Sequence, residues 1–540
     1  MLFRSGSITI ATAAKVAGAG VTLASATGSF LNTSISPASL SVSGPATSAG
    51  GSVTATGSVT FADALTLNVS TTLTGTGVSL GPVDGNAAGL RALTINASGV
   101  TTFGGTVGGT LALASVTTSA AGTVVFGASV FTTGAQTYNE TALSLTGAAT
   151  LSAGGDITFA PLSTLSAGAN NLTLRTNEIT LGGDLTGTGA LTIEAATAAQ
   201  GITLGAVSAA NLDLTAAELS RIGAAFASVT IGRADGSGQI VVAGPSTFTN
   251  PTTLRAPQPG GSIVVNAALT GTGDASFTLV GSGATTTLNA DVRTAGAPIT
   301  FNDSVLIGAA SVTVDTTNNG AVPAGANVSF SSVVDSEPGE TNALIVLSGT
   351  GGATTFAAPI GSTRALASIS TDPGGTLSIV GATTTGAQTF ADAAANIRGT
   401  FVTAGGGITF SGAVTLGSAT TVNPGAGPAF FGGAVNGGSA LQVNSSGATT
   451  FNAPVGASVP LASFTSDAPG TLLVSGIAVS GALQVRDSII TLSAGSTYSS
   501  SGGVIATSAG SSVRLVGNAT IAAPAGFAAR LAATIDALTP

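Results

Sequence analysis

The sequence has no cysteine, no histidine and no tryptophan, and it carries few charges. Without cysteine no disulfide framework can form, and without histidine or cysteine the common nucleophile–base pairs and zinc sites are excluded. The 13 basic residues are spread between Arg4 and Arg530 without a cluster, and the net charge is −9. Because phosphate contacts need clustered lysine and arginine, we expect no nucleic-acid partner.

Long apolar runs are also missing. No stretch reaches the roughly 18 unbroken apolar residues that a membrane helix needs, so we expect no membrane span in this chain. Residues 1–30 lack a convincing secretory signal, because residues 5–14 are too polar for its apolar segment and Lys15 follows them.

Glycine and small or branched side chains dominate instead. There are 78 glycines and 21 phenylalanines, and hydrophobic residues make up 44% of the chain. This hydrophobicity argues against disorder, and the abundance of serine, threonine, valine and glycine favours strands and turns over helices. The composition therefore predicts an all-β chain with a narrow core.

One 23-residue block occurs three times, at 101–123, 354–376 and 449–471. The first and second copies match at 12 of 23 positions, as do the second and third. The register continues past the block, and we call the extended segments copy 1 (101–137), copy 2 (354–389) and copy 3 (449–484). Phe, Leu-Ala-Ser and Gly-Thr keep fixed positions in all three, which indicates a true structural repeat.

A finer pattern of short strands underlies the blocks. The tetrads NLTL, EITL, ALTI, GITL and NLDL begin at residues 171, 178, 190, 201 and 211. Each alternates two aliphatic residues with polar ones, which is the period-2 pattern of a half-buried strand. Such strands fit a sandwich or a solenoid, and repetition over hundreds of residues without a linker favours the solenoid.

We therefore predict a right-handed parallel β-helix (β-solenoid) that forms a single elongated rod. The repeat region covers 51–520, preceded by N-terminal coils or a cap at 1–50 and followed by an end at 521–540 that could form a short helix. At roughly 20 residues per coil, the chain would contain about 27 coils.

The TTF, LAS, GT and GAQT elements of the copies, together with GITF-type strands, resemble the β-strand repeats of filamentous-haemagglutinin-like exoproteins and autotransporter passengers. The resemblance covers roughly residues 50–520. It implies a non-enzymatic adhesin-type β-helix on the outer surface of a bacterial cell, serving adhesion or biofilm formation. Its implied partners are glycans or proteins of host or neighbouring cells, and an outer-membrane translocator during export.

Two parts of that family are not recognisable in the sequence: an amino-terminal secretion domain and a carboxy-terminal translocator. We therefore expect the chain to be a fragment of a larger secreted exoprotein. Self-association into a fibre or layer is an alternative role for the same scaffold.

No catalytic, cofactor-binding or metal-binding residues are expected, and no cofactor. Asp335, Glu337 and Glu340 form the densest acidic cluster, which we interpret as a solvated loop. The acids Asp156, Asp184 and Asp274 follow glycines or turns and are expected to cap local backbone groups. The segments 153–159 and 271–277 lack the nonapeptide period of calcium-binding β-rolls.

The main alternative is a polysaccharide-active β-helix enzyme that uses carboxylates. Such an enzyme needs three or more carboxylates in one groove, with an arginine beside them. This arrangement would weaken the adhesin interpretation, and only a structure can reveal it.

Overall fold

The computed structural model describes residues 2–5, 8–10, 20–25, 29–31, 37–48, 51–119, 121–281, 285–467, 469–502, 505–507, 510–523, 529–530 and 534–537. The chain is a parallel β-helix of about 22 coils, with 54% strand and 1% helix. The predicted fold class is therefore confirmed. Contacts divide the chain into two compact units, 1–262 and 263–540, where the sequence suggested one repeat region between 51 and 520.

In the first unit, successive coils add one strand to each of several parallel sheets. A ten-stranded sheet contains Leu2–Ser5, Gly20–Ser25, Ser39–Ser43, Val59–Phe61, Val78–Leu80, Val100–Phe103, Thr123–Phe126, Ala142–Leu145, Thr164–Ser166 and Leu185–Thr186. A seven-stranded sheet contains Ser52–Thr54, Thr71–Gly75, Ala92–Ala97, Ser115–Thr118, Gln136–Tyr138, Ile157–Phe159 and Ile179–Thr180. A five-stranded sheet contains Ile8–Ile10, Ser29–Leu31, Ala46–Ser48, Leu65–Leu67 and Val83–Gly85.

The rest of the first unit comprises further strands and one short helix. The strands are Val130–Thr132, Ala149–Ala153, Leu172–Thr176, Ala190–Ala195, Ile202–Leu204, Leu212–Leu214, Ser228–Ile231, Gln239–Val242, Ser246–Phe248 and Thr252–Ala256. The helix is Ala216–Leu219.

The second unit is built from strands in the same way. They are Ser262–Val265, Leu269–Gly271, Phe277–Gly281, Thr285–Leu288, Val292–Arg293, Ile299–Phe301, Ser304–Ile307, Ser311–Asp315, Val328–Phe330, Val334–Ser336, Ala343–Leu347, Ala353–Phe356, Ser368–Ile379, Ala382–Thr384, Gln388–Thr403, Ile408–Phe410, Ala413–Gly425, Ala429–Phe431, Val435–Asn436, Ala440–Ser445, Ala448–Phe451, Ser463–Ser466, Thr471–Val474, Ile477–Val479, Leu483–Val485, Ile489–Leu492, Thr497–Ser500, Ile505–Thr507, Ser512–Leu515, Thr520–Ala522, Ala529–Arg530 and Thr534–Ala537.

The core follows from the alternation of the strands. In Ile157–Phe159 and Ile299–Phe301 both apolar residues are buried and the central threonine is partly exposed. Because parallel register puts equivalent residues above one another, the phenylalanines of the TTF motifs lie in stacks inside the core. Phe356 of copy 2, for example, stacks on Phe330 with ring centroids 4.8 Å apart.

The glycine at the eighth position of each repeat copy makes a turn that no other residue could make easily. Gly108, Gly361 and Gly456 have φ values of 71°, 63° and 74°, a region that L-residues with a Cβ rarely adopt. A Cβ at Gly361 would also lie 2.1 Å from the carbonyl oxygen of Thr383 in the next coil. Backbone conformation and close packing of coils together explain why this glycine recurs.

The coils are longer and less regular than predicted. Leu172 pairs with Leu191, 19 residues later, but Leu191 pairs with Val229, 38 residues later. The longer interval contains an insertion. Insertions and long turns of this kind reduce the number of coils from the predicted 27 or so to about 22.

The described parts of the two chain ends are also strands. Leu2–Ser5 pairs in parallel with Gly20–Ser25, so the described strands of the first 50 residues follow the same pairing pattern as the coils after them. Within 521–540, Thr534–Ala537 pairs with Ser512–Leu515. The described residues of 521–540 lie in or beside strands, and the other residues of this segment, for which a short helix was suggested, lie outside the described residues.

Candidate functional site

An insertion at residues 205–221 forms one side of a surface groove in the first unit. Its strand Leu212–Leu214 pairs in parallel with Ile202–Leu204, and the helix Ala216–Leu219 follows at once. Thr215 caps this helix, because its hydroxyl accepts a hydrogen bond from Glu218 N at 3.2 Å while the Glu218 carboxylate accepts one from Thr215 N at 3.0 Å. The sequence T-A-A-E is the capping-box signal that could have revealed this helix.

A groove of about 670 Å³ lies where the insertion meets the coil strand Ile179–Thr180. Four carboxylates line it, together with one arginine: Asp156, Glu178, Asp213, Glu218 and Arg221. We call it the acidic groove. The sequence suggested no such cluster, because these residues are distant along the chain and only the insertion brings them together.

Glu178 has the most perturbed environment in the acidic groove. Its carboxylate accepts hydrogen bonds from Ile179 N at 2.8 Å and from Asp213 N at 3.3 Å. Burial, reinforced by the negative charges of Asp213 and Glu218, raises the pKa of Glu178 to about 7. A carboxyl group with this pKa exchanges its proton near neutral pH, as a general acid must.

Two other carboxylates of the groove, those of Glu218 and Asp213, hold the insertion in place. Glu218 accepts a hydrogen bond from Leu181 N at 3.3 Å, which ties the helix to the neighbouring coil strand. Asp213 is 7% exposed and accepts one from Ser208 N at 2.7 Å. Asp156 is exposed. The groove therefore combines acids that stabilise the insertion with Glu178, which gains or loses its proton near neutral pH.

The acidic cluster selected from the sequence is not a site of this kind. The interpretation as a solvated loop is wrong for Asp335, which is 4% exposed within the strand Val334–Ser336. Its Oδ1 accepts hydrogen bonds from the backbone N–H groups of Thr363 and Arg364, at 3.1 and 3.2 Å. Burial and these bonds identify Asp335 as a cap that joins two coils. Glu340, by contrast, is exposed.

The same cap recurs in all three repeat copies. Asp84 accepts from Thr110 N and Leu111 N, and Asn436 accepts from Ser458 N and Val459 N, all within 3.2 Å. The donors occupy the tenth and eleventh positions of each copy. This recurrence shows that the side chain at the Asp335 position is structural.

The three other acids selected from the sequence do not make the predicted caps. Asp156, Asp184 and Asp274 are exposed, and in the described part of the chain none of their carboxylates accepts a hydrogen bond. Among the described residues there is no group of three or more acids arranged to hold a metal ion.

The arginines are less scattered in space than in sequence. Arg175 and Arg255 both approach the buried carboxylate of Glu194, at 2.7 and 3.7 Å. Arg233 pairs nearby with Asp235 at 2.8 Å. Because two carboxylates face three arginines, the cluster keeps a formal charge of +1 within the first unit.

No helix among the described residues is long and apolar enough to cross a membrane. Comparison with protein families, with curated proteins and with solved structures gives no match for this chain.

Proposed function

We propose that this chain is a non-enzymatic surface scaffold of the adhesin type, exported as part of a larger bacterial exoprotein. The parallel β-helix is compatible with a structural role of this kind. The proposed ligands are glycans or proteins on host or neighbouring cells.

A column of polar side chains on one face of the second unit carries this proposal. Strand register stacks eight residues, one per coil and all at least partly exposed: Thr278, Thr300, Ser329, Thr355, Ser378, Asn396, Thr415 and Asn436. We call it the polar column. A groove of about 360 Å³ runs beside it at Thr355, Ser378 and Asn396.

The polar column suits repeated weak binding. Neighbouring parallel strands lie about 4.8 Å apart, so the column presents uncharged hydrogen-bonding groups at a constant interval. Hydroxyl and amide groups both donate and accept hydrogen bonds, as the hydroxyls of a glycan do. Many such contacts along one chain give useful avidity even when each is weak.

Binding to immobilised surface polysaccharides tests the proposal. We expect retention of the intact chain without release of shortened saccharides, and at least a tenfold loss of retention in the variant T355V/S378A/T415V. The matched control is T60V/S79A/T102V, which removes a similar stack of hydroxyls from the first unit. Equal retention by both variants, or release of saccharide products by the unmodified chain, would contradict the proposal.

The acidic groove supports a second candidate function, a polysaccharide-active enzyme. It meets the condition of several carboxylates with an arginine beside them, and Glu178 has a pKa suited to a general acid. This candidate predicts that the chain shortens an offered polysaccharide and that Glu178→Gln abolishes the reaction. Glu340→Gln, an exposed acid outside the groove, should leave the reaction unchanged. If no polysaccharide is shortened, the groove has only a structural role.

A further inference from the structure

A buried hydroxyl–carboxyl pair that joins one coil to the next recurs with each repeat copy, the acid lying three residues beyond the end of the copy. Thr118 donates to Glu140, Thr371 to Asp392, and Ser466 to Asp487. The hydroxyl residue holds the eighteenth position of each copy, and the acid lies 21 or 22 residues further along the chain. We call these three pairs the acid latches.

The acid latches are sealed from solvent. Glu140 is 0% exposed, and Asp392 and Asp487 are each 1% exposed. Within the described residues, the second oxygen of each carboxyl group has no hydrogen-bond donor. An ionised carboxylate in this position would lack most of the donors that compensate for the loss of water.

The hydroxyl of each latch in the second unit is fixed as a donor to the acid. Thr371 Oγ1 accepts a hydrogen bond from Ala391 N at 3.2 Å, and Ser466 Oγ accepts one from Arg486 N at 3.3 Å. Each amide belongs to the residue just before the acid. The hydroxyl proton is therefore free to point at the carboxyl group. Among the described residues, the other hydrogen bonds that lower the pKa of Asp392 or Asp487 come from the backbone N–H group of the acid itself.

The charged and titratable groups around the latches do not compensate for ionisation. Tyr138 faces Glu140, Asp372 faces Asp392, and Asp467 faces Asp487. Arg486, next to Asp487 in sequence, is exposed and donates to Gln484 instead. No ion pair of the described chain includes a latch acid.

We propose that the acid latches hold neutral carboxyl groups. The stability of the β-helix would then depend on pH and would be higher at mildly acidic pH than at neutral pH. Deprotonation would place an uncompensated charge between two coils in each of the three copies. The proposal is independent of the adhesive role, because it concerns the scaffold itself.

The pKa shifts agree in direction with this geometry. Burial raises the pKa of Asp392 to about 6 and also raises those of Glu140 and Asp487. A folded-state pKa above the unfolded value means that the folded chain binds more protons in the interval between the two. For Asp392 the stabilisation is therefore complete below about pH 4, and it is lost as the pH rises through about 6. For Glu140 and Asp487 the stabilisation is likewise lost as the pH rises.

Infrared difference spectra of the full chain test the protonation state directly. At about pH 5 the unmodified chain minus E140Q/D392N/D487N should show the C=O band of protonated carboxyl groups. Asp303 and Glu178 also have raised pKa values, but both are present in the two proteins, so their signals cancel. A difference spectrum without this band at about pH 5 would overturn the proposal.

Thermal unfolding tests the consequence for stability. The unfolding midpoint of the unmodified chain should fall by several degrees between about pH 5 and about pH 8. The triple variant should lose part of this dependence, and the rest comes from Asp303 and Glu178. The control D184N/D274N replaces two exposed acids outside the acidic groove and should keep the dependence. If the triple variant does not fold, the three single variants are compared instead, and each should lose part of it. A pH dependence equal in all variants would also overturn the proposal.

Discussion

Two equivalent glutamines, Gln136 and Gln388, provide a natural comparison within the fold. Each is buried and donates from Nε2 to two backbone carbonyl oxygens and a threonine hydroxyl, which ties neighbouring coils together. They differ at the carbonyl oxygen. Gln136 Oε1 accepts a hydrogen bond from the Tyr138 hydroxyl at 2.9 Å, whereas Gln388 Oε1 has no donor in the described chain. The residue at the equivalent position is Phe390, which has no hydroxyl.

The substitution Phe390→Tyr should therefore stabilise the second unit. It would supply the hydroxyl that copy 1 already has and satisfy a buried acceptor. A net hydrogen bond contributes about 1 kcal/mol to the free energy of unfolding. The reverse change, Tyr138→Phe, should cost about 1–3 kcal/mol, because it leaves the Gln136 acceptor buried and unpaired.

Urea unfolding followed by circular dichroism and tyrosine fluorescence measures both effects. The chain has no tryptophan and only two tyrosines, Tyr138 and Tyr498, so the fluorescence is simple to assign. The control is Phe410→Tyr. Phe410 pairs in register with Phe390 and is equally buried, but a hydroxyl there gains no such acceptor. The reasoning is refuted if Phe390→Tyr destabilises the chain as much as Phe410→Tyr does.

Two further substitutions test the turns of the repeat. Gly361→Ala should lower the free energy of unfolding by more than about 1 kcal/mol, because it combines a positive φ with a backbone clash. The control is Gly438→Ala, where no atom lies within 4 Å of the added Cβ. In urea unfolding this control should be nearly neutral. Asp335→Ala should cost about 1–3 kcal/mol through two unsatisfied N–H groups, while Asp335→Asn should cost little because Asn436 makes the same cap in copy 3. Equal loss of thermal stability in Asp335→Ala and Asp335→Asn would show that the charge, not the cap, matters.

Local patterns were enough to predict the strands and the fold class. In Ile299–Phe301, the alternation of apolar and polar residues is enough to predict which face is buried. The pairing of this strand with Phe277–Gly281 then places residues of the same kind opposite one another. The acidic groove could not be predicted in this way. Asp213 is buried on what alternation makes the exposed face of its strand, and Ser208 of the same insertion contacts its carboxylate there.

The burial of acidic side chains was the other feature that could not be predicted from the sequence. Acids such as Asp335 and Asp392 carry a charge that in a sequence normally indicates exposure to solvent. Their burial depends on which backbone or hydroxyl group the adjacent coil presents, and coil lengths vary too much for the sequence to fix that alignment. Only three-dimensional register, for example Thr371 beside Asp392, makes these contacts visible.

The register of the parallel coils can be tested directly, because the chain has no cysteine of its own. Thr300 and Ser329 pair in adjacent coils, whereas Thr300 and Thr355 lie two coils apart. Strands about 4.8 Å apart suit a disulfide, and twice that distance exceeds the Cα limit of about 7 Å. Under mild oxidation, T300C/S329C should form an intramolecular disulfide and T300C/T355C should not, as read from mass and gel mobility. A disulfide in the second variant but not in the first would contradict the parallel β-helix.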